Sequence, residues 1–153
     1  VNYKDWSASV LAFCLIGAAF FFYGTKDTTF LSGVFSGVSL RIEVANTDAQ
    51  RELGLGGRAS IPQYYGMLFV FPKPDTYGFW MKNMLVPVDI FWLDAQGGVI
   101  SQQNNVSPAS YPHVFYPEAP ALYVLETRAG FAAAHDVKMG TLLELQKFPT
   151  VLQ

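Results

Sequence analysis

Gly66-Met67-Leu68-Phe69-Val70-Phe71, then Phe79-Trp80-Met81-Lys82-Asn83, then Pro87-Val88-Asp89-Ile90, is the part of the chain whose reading decides the fold. Residues 67–71 are an unbroken apolar run between Gly66 and Pro72, the pattern of a buried strand. Residues 77–81 read as a returning strand after a turn at Pro72, Pro74 and Asp75, and residues 88–93 as another. Lys82, Asn83 and Asp89 are set among these strands. An unpaired polar group in apolar surroundings costs about 1–3 kcal/mol, so each needs a partner. That partner is either another protein group or a ligand.

Working outward, Leu40, Ile42 and Val44 alternate with Arg41 and Glu43, the period-two signature of a strand with one buried face. Thr47 with Gln50 three residues on is a capping box, so a short helix follows and ends near Gly54. Residues 94–98 predict a tight turn into a strand at 99–103. Residues 102–120 carry four prolines among Tyr111, Phe115 and Tyr116, and predict an irregular loop that packs on something. A strand at 123–126, a short helix at 130–134 and a last strand at 142–145 complete the pattern. The expected fold is mainly β, a small antiparallel sandwich or partly open barrel with two short helices, occupying residues 39–147. Residues 26–38 read as a linker and 148–153 as a tail.

Ahead of this domain, residues 6–25 form a run of 20 without a charge, the length of a membrane-crossing helix. The aromatics Phe20, Phe21, Phe22 and Tyr23 stand where a cleavable signal would have small residues, which favours an uncleaved anchor. A cleaved signal and a buried core helix are the competing readings. Lys4 and Asp5 on one side balance Lys26 and Asp27 on the other, so the flanks give no orientation. From Lys26 onward 9 Lys plus Arg face 11 Asp plus Glu, a balance that argues against nucleic acid as a partner. The lone Cys14 lies in the apolar run, which excludes an internal disulfide and a cysteine zinc site in the outer domain.

For chemistry, His113 and His135 lack metal-ligand spacing, and Met67, Met81 and Met84 read as core filling sooner than as copper ligands. No metal and no cofactor are expected. Asp89 and Glu126, both in apolar strands, are the one pair of carboxylates able to support an acid–base reaction, and they serve equally as partners for Arg58 or Lys82. Trp80, Lys82 and Asn83 with the Tyr111 loop have the makings of a cleft, flat apolar surface with a few fixed polar groups. The expected site is therefore Arg58, Trp80, Lys82, Asn83, Asp89 and Glu126, binding a small polar ligand or an envelope partner without catalysis. The alternatives are an envelope hydrolase using Asp89 and Glu126, and a structural or assembly subunit.

The ordered series Arg51, Gly54-Leu55, Arg58, residues 66–71, residues 79–83, Pro87, Asp89-Ile90, Asp94, Gly97, residues 123–126 and Gly130 resembles the domain of unknown function 192 family. This chain departs from the family pattern at Met84, where Thr is usual, and at Thr141, where an acidic residue is usual. The resemblance implies a compact, mainly β domain, often exported or membrane-anchored, with no established reaction. A location on the outer side of a membrane is the corresponding expectation.

Overall fold

The computed structural model describes residues 28–151. The expected membrane segment, residues 6–25, lies outside the described residues. Among those described, no helix is long and apolar enough to cross a membrane.

The elements run β1 (Phe30–Phe35), β2 (Val38–Ala45), α1 (Asp48–Leu53), β3 (Tyr65–Asp75), β4 (Phe79–Trp80), β5 (Val88–Leu93), β6 (Val99–Val106), a 3-10 turn (Pro108–Ser110), β7 (Val114–Phe115), β8 (Ala121–Arg128), α2 (Phe131–Ala134) and β9 (Leu143–Leu145). Seven strands make one curled, half-barrel sheet in the order β6-β5-β8-β3-β2-β1-β9, and β4 with β7 makes a separate ribbon. The expected mainly β fold with two short helices is present, as one curled sheet instead of a sandwich of two. Its pairing is not wholly antiparallel. β2 and β3 run parallel because α1 carries the chain back between them, the crossover that a parallel pair requires.

Local chemistry explains several of these elements. Thr47 and Gln50 form the capping box at the start of α1, and Gly54 ends it with its amide on the Gln50 carbonyl. The Asp94 carboxylate accepts from the Gln96 and Gly98 amides and so shapes the β5–β6 turn. Several expectations need correction. Pro72, Pro74 and Asp75 continue β3 instead of forming a turn, and the expected loop at 102–120 begins as part of β6, which runs to Val106. Residues 28–36 are not a connector: β1 pairs along its whole length with β2, and at its far end with β9. Leu31, Val34 and Phe35 alternate imperfectly around Gly33, which hides the strand period. The described part of the tail is also packed, since Phe148 stacks on Tyr123 with centroids 4.8 Å apart and the Asn46 amide donates to the Thr150 carbonyl.

Side chains alternate across the sheet, so each strand serves two cores. One face buries Leu40, Ile42, Leu68, Phe91, Leu93 and Leu125 beneath α2. The other buries Met67, Phe69, Val88, Ile90, Trp92 and Val124 beneath the loop after α1 and the β4–β7 ribbon. The two carboxylates expected at the site, Asp89 and Glu126, fall on opposite faces.

Candidate functional site

Glu126 lies on the second face. In register it stands between Met67 on β3 and Ile90 on β5, and Glu43 on β2 continues the same row beyond Met67. The two glutamates meet different fates. Glu43 takes two hydrogen bonds from the Arg58 guanidinium, at 2.9 and 3.0 Å, and a further one from the Tyr65 hydroxyl, which itself receives one from Arg58 at 2.6 Å. Burial, then the bond to Glu43, pushes the Tyr65 phenol above its ordinary range. This triad makes Arg58 a tie between Glu43 and Tyr65.

Glu126 has no such partner among the described residues. Its residue is 4% exposed, and its carboxyl makes no hydrogen bond or ion pair. Burial pushes it up to about 8, with the charge of Arg58 pulling weakly the other way. At neutral pH it is mostly a neutral acid.

That carboxyl forms part of the lining of a pocket of about 260 Å³. The pocket is small for a ligand site. Arg51 and Glu52 of α1 with Leu55 of the following loop form one wall, and Phe69 of β3 with Phe79 and Trp80 of β4 form the other. Lys82 lines it too, and also borders a second depression beside Asn83 and Gly56. Arg51 itself is held by the Val70 carbonyl at 2.7 Å and by Asp48 at 2.5 Å.

The walls are positioned by close backbone approaches. The Gly57 amide donates to the Asn83 carbonyl at 2.8 Å, tying the glycine loop to the 81–84 turn. Asn83 has φ of 59°, a left-handed conformation that Asn tolerates better than most residues, so its identity has a backbone reason besides its exposed amide. At Gly78 an added Cβ would lie 2.6 Å from both Val114 and Tyr116, which is how the Tyr111 loop comes to pack on β4. Tyr111 then meets Trp80 edge-on at 5.9 Å, and the Lys82 ammonium sits 5.2 Å from the Trp80 ring.

Asp89 is elsewhere. It belongs to the first face, in register with Thr127 and in the alternation of Phe91 and Leu93. It is fully buried, and its two oxygens accept the Asn105 amide at 2.6 Å and the Ala132 amide at 2.8 Å. Asp89 is thereby a distant cap for α2, whose own N-cap residue, Gly130, has no side chain to offer. Asp89 and Glu126 point to opposite faces of one sheet, so they do not form the carboxylate pair that a hydrolase would need.

Of the six residues expected at the site, Trp80, Lys82 and Glu126 share the pocket, Asn83 borders the adjoining depression, and Arg58 and Asp89 are internal ties. The sequence reading missed Arg51, Leu55, Phe69 and Phe79 as wall residues; Arg51 and Gly54-Leu55 were visible only as members of the ordered motif series. Trp80 is 46% exposed, so Trp80→Ala should leave thermal stability within about 0.5 kcal/mol of the parent. A loss of several degrees in melting temperature would instead mark Trp80 as core.

Among the described residues the curled β sheet thus carries an aromatic-walled pocket over one acid with no hydrogen-bond partner. The chain belongs to the domain of unknown function 192 family, described as uncharacterized ACR, whose model matches residues 33–145. Two solved structures are similar. One, described as a "putative transcription regulator" from Sinorhizobium meliloti 1021, has 30% identity and a TM-score of 0.70 over 77% of this chain and 93% of its own. The other, a protein of unknown function from Novosphingobium aromaticivorans DSM 12444, has 30% identity and a TM-score of 0.69 over 76% of this chain and 84% of its own. No curated protein matches the chain.

Proposed function

We propose that this domain binds a small ligand, without catalysing a reaction, in the pocket over Glu126, and that residues 6–25 hold it at a membrane with the domain on the outer side. The observation that carries the binding reading is Glu126 itself. A buried carboxyl without a protein partner is costly to keep, and this one lines a pocket that opens between exposed Trp80 and Lys82. A ligand that completes its hydrogen bonding offsets that cost.

A reaction lacks its second group, since Asp89 lies across the sheet and Glu43 is occupied by Arg58 and Tyr65. Regulation through nucleic acid lacks clustered positive charge, with the chain at a formal net −2. The membrane part rests on the uncharged run of 20 residues.

The test is calorimetry of the full chain in lipid nanodiscs against small amines, acids, alcohols and sugars, repeated with Trp80→Ala and Glu126→Gln. Millimolar or tighter binding of at least one probe, weakened by both substitutions, is expected. Heat from none of them, or heat untouched by either substitution, would refute the reading.

A further inference from the structure

Resting on the binding reading above, we infer that the pocket selects organic ammonium ions, molecules with a protonated amine on a short aromatic or aliphatic body, and that Glu126 is the counter-ion. Three features of the pocket point the same way.

The first is the balance of donors and acceptors. A carboxylate only accepts, and its two oxygens offer several sites. An ammonium brings up to three N–H donors and reaches both oxygens at once. A ligand carbonyl or carboxylate would take the single proton of the neutral acid and leave the second oxygen unsatisfied. A ligand carboxylate would also place a second anion beside Glu126, while of the two cations in the lining Arg51 is held by Asp48 and the Val70 carbonyl and Lys82 is exposed.

The second is the ring system. Phe69, Phe71, Tyr77, Phe79 and Trp80 all line the same pocket. The faces of aromatic rings attract cations, and several rings with a nearby carboxylate form the usual cage for an ammonium group. The protein's own cations already use these rings: the Arg51 guanidinium lies 5.5 Å from the Phe71 centroid, and the Lys82 ammonium 5.2 Å from Trp80.

The third is the commitment of the charges around Glu126. Arg58 is held by Glu43 and Tyr65, and Arg51 by Asp48 and the Val70 carbonyl. Lys82 is exposed, with its ammonium near the Trp80 ring. The in-register neighbours, Met67 and Ile90, carry no charge. Among the described residues no cation forms an ion pair with Glu126: Arg51 and Lys82 line the same pocket, and Arg58 acts on it only through its charge.

This selection carries a pH signature. Glu126 holds its proton up to about pH 8, so an ammonium that pairs with the carboxylate must displace that proton, and binding strengthens as pH rises. A ligand that accepts a hydrogen bond from the neutral acid behaves oppositely and weakens above pH 8.

The experiment uses three probes with one body, phenethylamine, 3-phenylpropionate and 2-phenylethanol, titrated calorimetrically into the full chain in nanodiscs between pH 6 and 9. Phenethylamine stays protonated over this range, its ammonium resembling that of lysine. Expected is preference for the amine, with affinity rising about tenfold per pH unit well below pH 8 and levelling above it, and with proton release seen as buffer-dependent heat. Glu126→Gln should weaken the amine at least about tenfold and flatten the pH dependence. If the acid or the alcohol binds more tightly than the amine, or the amine weakens as pH rises, ammonium selection is wrong while the pocket remains a binding site. If none of the three probes binds and the wider panel also gives no heat, the binding reading fails with it.

Discussion

Between about pH 4.5 and pH 8 the domain should lose stability as pH rises, by up to about 1.4 kcal/mol per pH unit, and Glu126→Gln should remove that slope. The sign follows from proton counting. In the unfolded chain Glu126 titrates near 4.5, whereas burial holds it up to about 8 in the fold. Within that window the folded state binds more protons than the unfolded one, so raising the pH favours unfolding. The contribution is fully present below the unfolded value and is lost by the time pH passes the folded one. Over the whole window it amounts to on the order of 5 kcal/mol. Urea unfolding of parent and Glu126→Gln across pH 4 to 9 isolates it, because His113, His135 and all other titrating groups are common to both proteins. Parallel stability curves would show that Glu126 is solvated in the fold and would remove the main support for the pocket.

Asp89→Ala should be strongly destabilising. It strips acceptors from two backbone amides, Asn105 and Ala132, that tie β6 and α2 to β5. Hydrogen bonds to a charged group contribute about 1.5–3 kcal/mol each, and a buried donor left alone carries its own penalty, so a loss of about 3 kcal/mol or more is expected. Asp89→Asn should lose nearly as much, since the new NH2 would confront an N–H donor. Chemical denaturation measures both. Near-parent stability in Asp89→Ala would mean that water replaces the carboxylate and that Asp89 is not the cap of α2.

Most of the strands were legible from sequence because their period is local: residues 67–71 and 88–93 could hardly be anything but buried strands. The capping box at Thr47 fixed the start of α1 for the same reason. What escaped was set by distant pairing. β1 depends on hydrogen bonds to β2 and to β9, more than a hundred residues on, and its Gly33 and Ser32 gave no strand signal. The site divided similarly. Lys82, Asn83, Asp89 and Glu126 stand out as polar residues among apolar strands, yet the side of the sheet that Asp89 and Glu126 face depends on register, and Lys82 and Asn83 lie in the turn after β4. Asp89 and Glu126 looked like partners in one dimension, and the pairing of Ile90 with Glu126 places them back to back. The wall residues Leu55, Phe69 and Phe79 look like core in sequence, and only the curvature of the sheet opens a space beside them.

The β1–β9 seam has a consequence during synthesis. Until Leu143–Leu145 has left the ribosome, Gly33–Phe35 present an unsatisfied row of amides and carbonyls next to a completed β2, and such a row recruits other extended chains. The nascent domain thus keeps an open edge at β1 until β9 is made, and joining strands so far apart in sequence makes that closure slow.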